Sequence, residues 1–217
     1  VNRGEIISKF REENPEITDR VITNTVLNGW CKAADKEICA EARCIVSNEP
    51  ETISTTEDDA YWDLTAQIPK FYDIDEYPGG GVAYDDDRLK LTTIAQLDEE
   101  SSGWRTRSSG TPKKYFRRGQ YLYVDRPVNS DAEDITIYAV YISDDFNSND
   151  KTPYNQLSHL TPFHDGINKY LQWRAMGKVG KEKEAKSAQK DYMNYVAWMK
   201  KLIRGGSHNV IFFTPPH

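Results

Sequence analysis

Cysteine is scarce in this chain, with Cys31, Cys39 and Cys44 the only three. An odd number, with no apolar secretory segment in the opening VNRGEIISKF, argues against a disulfide framework and for free, partly buried thiols. Histidine is nearly as rare, and His159, His164, His208 and His217 form neither a zinc-finger spacing nor an HExxH helix. No metal and no cofactor is therefore expected. Long apolar runs are missing too, so no membrane-spanning segment is expected and assembly in a cytoplasm is the natural setting. The chain also has no GxSxG elbow, no GxGxxG after a strand and no phosphate loop. Gly79-Gly80-Gly81 is not followed by Lys-Ser/Thr, and it reads as a hairpin connection.

The chain has 217 residues, long enough to bury a sizeable core, yet only 38% are hydrophobic while 29% are charged. With a mean hydropathy of -0.74, this balance suits a protein with a large surface completed by neighbours better than a compact enzyme. Aromatics at 12% argue against disorder. The net charge of -6 removes any general attraction to nucleic acid.

Periodicity divides the chain. Ile6, Ile7 and Phe10 make a short helical stripe that must stop near Asn14-Pro15. A second helix, capped by Thr18 or Asp19, places Ile22, Val26 and Trp30 with Leu27, Cys31, Ala34 and Ile38 on a buried face and runs to about Cys44. From Ile45 to about Asp145 short alternating runs predict strands. Val82 and Tyr84 lead to an acidic tip at Asp85-Asp86-Asp87, after which Leu89 and Leu91 resume the alternation. Ile135 to Tyr141 is the best central strand, covered on both sides, and Tyr115 to Val124 is a hairpin turning at Arg118-Gly119. After Pro153 two helical stripes return, Leu160 to Leu171 and Ala185 to Leu202, separated by a turn at Gly177 to Gly180.

This order predicts an α+β fold, with N- and C-terminal helices forming an antiparallel helical bundle and a β-rich domain inserted between them. The expected parts are N-terminal helices over 1–44, the inserted β-rich domain over 45–150, a helical hairpin completing the bundle over 151–204, and an extended arm over 205–217. Arg204-Gly205-Gly206 ends the last helix. Val210, Ile211, Phe212 and Phe213 are β-prone, uncharged and apolar, so they need a dock, in this chain or on a neighbour.

The acidic runs Glu57-Asp58-Asp59, Asp73-x-Asp75-Glu76 and Asp85-Asp86-Asp87 read as polar turns, since neither glycosidase geometry nor an EF-hand ligand set accompanies them. No catalytic residue is assigned. Arg105, Arg107, Lys113, Lys114, Arg117 and Arg118 concentrate positive charge, fitting a solvated hairpin rim, a subunit contact or a DNA contact.

The order Trp104-Arg105-x-Arg107, Gly110-x-Pro112, Tyr115, Gly119, Leu122 and Pro127, followed by the strand at Ile135 to Tyr141, resembles the head-to-tail adaptor (connector) proteins of tailed bacteriophages. The resemblance spans roughly Tyr61 to Ile203. It implies a non-enzymatic structural protein at the phage neck, assembled in the host cytoplasm as a homo-oligomeric ring, a dodecamer in that family. The implied partners are the portal protein, tail or neck proteins, and packaged DNA passing through the channel without sequence-specific binding. Trp104, Arg105, Arg107, Tyr115, Tyr121 and Tyr123 are expected to organise the β domain or a subunit interface, with Tyr192, Tyr195 and Met199 organising the helices. Another neck or tail ring component, and a β-rich carbohydrate-binding or glycan-cleaving module, are the alternative readings.

Overall fold

The computed structural model describes residues 1–76, 80–129, 133–143 and 145–204. The chain is α+β and divides into two compact units, one from Val1–Cys44 with the residues from Ser143 onward, the other Ile45–Ile142.

Helix α1 (Arg3–Glu13) starts from a capping box in which the Asn2 side chain accepts from the Glu5 N–H and the Glu5 carboxylate accepts from the Asn2 N–H. Ile6, Ile7 and Phe10 are buried. The helix stops before Pro15, where the Asn14 side-chain amide donates back to the Phe10 carbonyl at 2.8 Å. Helix α2 (Asn24–Ala42) begins later than the sequence suggests. Thr18 and Asp19 belong instead to a turn gathered by Arg11, whose guanidinium donates to the Ile17 and Ile22 carbonyls and to Asn24 Oδ1. With those carbonyls held by a side chain, Thr23 becomes the cap. Leu27, Cys31, Ala34, Ile38, Cys39 and Ala42 form the buried stripe, while Val26 and Trp30 are only half-buried.

In the second unit, β1 (Glu51–Ser54), β2 (Tyr61–Asp63), the short helix α3 (Leu64–Gln67), β3 (Phe71–Ile74), β4 (Val82–Tyr84), β5 (Asp87–Arg88), β6 (Lys90–Leu91), helix α4 (Ile94–Glu100), β7 (Lys114–Arg118), β8 (Tyr121–Val124), β9 (Asp134–Ile137) and β10 (Ala139–Tyr141) form three sheets. Their strand orders are β1-β9-β4-β5, β10-β3 and β2-β8-β7-β6. The acidic tip is a hairpin, Tyr84 opposite Asp87, with Asp85 and Asp86 at positive φ. The alternation does not continue through it in one sheet, because Leu89 donates back to Val82 while Lys90 and Leu91 pair in parallel with β7. The single strand expected from Ile135 to Tyr141 changes partners at Tyr138. Before it β9 sits between β1 and β4, and after it β10 pairs with β3. The β7–β8 hairpin turns at Gly119-Gln120, one residue later than expected, with Gly119 at φ 63° where a side chain would be strained. Ile53, Trp62, Leu64, Tyr84, Tyr115, Leu122, Val124, Ile135 and Ile137 meet in one buried cluster.

The chain then passes through 3-10 turns at Tyr154–Gln156 and Ser158–Phe163 into α5 (His164–Lys178) and α6 (Glu182–Arg204). Residues 179–181 join these helices, which pack on one another and on α2. At Gly166 a β-carbon would lie 3.3 Å from Tyr195 Cβ, so glycine sets this close approach. Tyr192 stacks on Trp173 and meets Tyr170 edge-on, and its hydroxyl donates to Glu37 at 2.8 Å. Met199 is fully buried.

Candidate functional site

The segment singled out by sequence, residues 102–127, supplies strands β7 and β8 of the β2-β8-β7-β6 sheet and packs Trp104 with Phe116 in a second, smaller cluster. Register places Tyr61, Tyr123 and Phe116 in one row across β2, β8 and β7. Tyr61 and Tyr123 stack at 5.6 Å between ring centres, Tyr123 and Phe116 at 4.9 Å, and Phe116 meets Trp104 edge-on at 5.7 Å. Trp104 sits not in a strand but in a 3-10 turn, Trp104–Thr106, that folds over the row. Helix α4 supplies Leu97 and Ile94 to the same small cluster. The row passes from the buried Trp104 to Tyr61 at the sheet edge, 58% exposed. Tyr115 points the other way, into the main core.

Four of the six positive charges singled out in this segment are matched nearby. Arg105 lies over the Trp104 ring at 4.5 Å and donates to Asp98 at 2.5 Å, while Trp104 Nε1 donates to the same carboxylate at 2.8 Å. The Arg105 and Trp104 bonds hold the Asp98 carboxyl below its ordinary value. Arg107 pairs with Asp125, Lys114 with Glu100 and Arg117 with Asp73. Asp125 is buried and accepts from the Lys113 and Lys114 amides at 2.8 and 2.9 Å, pinning the approach to β7. Lys113 and Arg118 are exposed. Asp98 and Asp125 were missed in sequence: Asp98 opens the run Asp98-Glu99-Glu100 at the end of α4, six and seven residues before Trp104 and Arg105, and Asp125 stands alone before Arg126. Tyr121 touches Tyr61 edge-on at 6.2 Å, at the open end of the row.

The acidic runs do not converge. Asp59 caps the Thr56 amide, Asp73 pairs with Arg117, and Asp85 to Asp87 form the hairpin tip. No cluster of metal-ligating side chains occurs among the described residues, and no helix among them is long and apolar enough to cross a membrane. Val210, Ile211, Phe212 and Phe213 lie outside the described residues.

Residues 1–208 match the model of a protein family described as SU10 adaptor protein. The chain belongs to this family. SU10 adaptor proteins are a phage head-to-tail adaptor family, so the resemblance drawn over roughly Tyr61 to Ile203 extends to the N-terminal helices as well. The match stops short of Val210 to Phe213. A comparison with curated proteins returns no match.

Proposed function

We propose that this SU10 adaptor protein is a non-enzymatic component of the virion that assembles as a ring at the phage neck. There it joins portal to tail around the channel through which packaged DNA passes. The observation that carries this reading is the family match over residues 1–208. The site is in keeping with it, because Arg105, Arg107 and Arg117 are paired with Asp98, Asp125 and Asp73 and Arg105 also lies over Trp104, which makes this face a packed surface. A net charge of -6 also suits a protein beside sliding DNA, since a basic wall would hold the phosphates.

In this reading α1, α2, α5 and α6 complete an antiparallel bundle, twelve copies close the ring, and Val210 to Phe213 form an arm that docks on a neighbouring subunit or the portal. Mass photometry of the chain with its portal protein tests the reading, run for the full chain and for a form truncated after Gly206. The full chain is expected to give a large complex. The truncated form is expected to melt at nearly the same temperature and to assemble or attach more weakly. A stable monomer that never binds portal, neck or tail components overturns the adaptor reading. A truncation that unfolds the monomer overturns the arm.

A further inference from the structure

The sheet β2-β8-β7-β6 has two open edges, and both carry unused backbone groups. The Val124 N–H bonds the Ala60 carbonyl at 3.1 Å and the Leu64 N–H bonds the Gln120 carbonyl at 2.9 Å. The alternation of an antiparallel ladder therefore turns the N–H and C=O of Tyr61 and the N–H of Asp63 away from β8. On the opposite edge, Lys90 donates to Lys113 and Thr92 to Tyr115 at 2.9 and 2.8 Å, which turns the N–H and C=O of Leu91 away from β7. None of these outward groups has a hydrogen-bond partner among the described residues. The same two strands hold the most exposed large apolar side chains described in this unit, Tyr61 at 58% and Leu91 at 48%.

We infer that the β2 edge of one copy pairs with the β6 edge of the next, so that the four-stranded sheet continues from subunit to subunit. Three observations point to a second copy of this chain as the occupant. The first is direction. Strand β8 is antiparallel to both β2 and β7, and β6 is parallel to β7, so β2 and β6 run the same way. In a ring of many members the rotation between neighbours is small, comparable to the twist between adjacent strands, so it keeps strand direction nearly unchanged and brings β6 beside the neighbour's β2 as a parallel pair.

The second is register. In a parallel pair a bonding residue faces a non-bonding one. Leu91 opposite Trp62 then donates to the Tyr61 carbonyl and accepts from the Asp63 N–H, using four of the five outward groups of the two edge strands without flipping either sheet face. That register places Lys90 beside Tyr61, where an ammonium group meets an exposed ring. The third is charge. The β2 margin carries the carboxylates of Asp58 and Asp63, and the β6 margin carries the exposed Lys90 and Lys113. Glu99 and Glu100 also lie along the β6 margin, but Glu100 is already paired with Lys114.

This inference rests on the ring reading, and the test separates the two. The double variant Tyr61→Cys with Lys90→Cys places cysteines on neighbouring strands whose backbones lie about 4.8 Å apart, a spacing a disulfide can span. The native thiols are buried and stay silent. Under mild oxidation with glutathione disulfide, the double variant is expected to give a ladder of covalent multimers on non-reducing gels, whereas either single variant can give no species beyond a dimer. Leu91→Pro removes an amide that only an incoming strand would use, and it is expected to keep its circular dichroism melt while needing at least tenfold more protein to assemble. Assemblies of unchanged size without a ladder overturn the edge pairing and leave the ring standing. A chain that stays monomeric with portal present and gives no ladder overturns both.

Discussion

Asp35 stands in the buried stripe of α2, where the helical period calls for an apolar side chain. Its two oxygens are occupied. Oδ1 accepts from the Tyr154 N–H at 2.7 Å, and Oδ2 accepts from the Ser143 hydroxyl, which also contacts Asn155 Oδ1 at 3.1 Å. What it holds is a strained turn. Tyr154, Asn155 and Gln156 have φ of 57°, 49° and 63°, a run of left-handed backbone that costs on the order of 1–3 kcal/mol per residue and persists only where its surroundings hold it. Burial pushes the Asp35 carboxyl up to about 6, against the opposing pull of those two hydrogen bonds. Nearby in the chain, His164 is buried with Nδ1 unpartnered, and burial pulls it down to about 4.

The two groups act oppositely on stability. Asp35 keeps its proton in the folded state where the unfolded chain has lost it, so its contribution falls as pH rises from about 4 to about 6. His164 stays neutral in the folded state where the unfolded chain has gained a proton, so its contribution rises with pH from about 4 toward about 6.5. Asp35→Asn fits the site, with its carbonyl facing the Tyr154 amide and its NH2 facing Ser143. It is expected to remove a cost on the order of 3 kcal/mol at neutral pH and to leave the His164 slope exposed. Urea unfolding midpoints at pH 4.5, 5.5 and 7 should rise with pH more steeply in the variant than in the parent. Parallel curves would mean that Asp35 is ionised in the native state across this range.

At the scale of the element, Trp104 and Arg105 are adjacent in sequence but do different jobs. Trp104 fills the small cluster between α4 and β7, and truncating a buried aromatic of this kind costs about 3–5 kcal/mol. Arg105 is an exposed partner of Asp98, so reversing its charge costs folding much less. Trp104→Ala is therefore expected to lower the melting temperature by many degrees. Arg105→Glu should melt within a few degrees of the parent, and any loss it causes is a loss of association. Equal melting losses in both variants would show the Arg105–Asp98 pair to be part of the fold.

The cues that made this segment legible were local ones: Gly119 at a turn needing positive φ, Tyr121 to Val124 with strand alternation, and Pro112 before a strand. The helices were legible for the same reason, since Ile6, Phe10, Leu27, Cys31 and Ile38 repeat at helical spacing. What could not be read was which strand lies beside which. Lys90 and Leu91 look like the continuation of a hairpin, yet they pair with β7, because Leu89 is drawn back to Val82 and turns the chain. The start of α2 was hidden in a similar way, since Arg11, from another helix, holds the Ile17 and Ile22 carbonyls and closes the turn at Thr18 and Asp19 before the helix begins. Asp98 and Asp125 became visible only once the fold brought them under Trp104 and Lys113.

At the scale of the whole molecule, the two units meet through two chain crossings, and within each unit the crossing points lie together. In the β unit the Tyr141 N–H donates to the Ile45 carbonyl at 2.8 Å and Ser47 bonds Ala139, so both ends of residues 45–142 are tied into one edge. In the helical unit Cys44 touches Cys39 at 3.2 Å between sulfurs, and Ser143 reaches Asp35 one turn earlier on the same helix. Each unit thus closes on itself where the other leaves, as an inserted domain requires. Residues 45–142 bring their own cluster around Ile53, Trp62, Tyr84 and Ile135, and about 100 residues suffice for an independent core. Expressed alone, this segment is expected to unfold in one cooperative transition, seen as coincident near- and far-ultraviolet circular dichroism melts. Joining Cys44 to Ser143 through about four glycine and serine residues should leave the helical unit folded, because shortening the loop from about 100 residues lowers its closure cost by about 3 kcal/mol. A β segment that melts without cooperativity would show that its core is completed only in the full chain. A helical unit that fails to fold with the short linker would show that the β unit directs the docking of α5 and α6 onto α2.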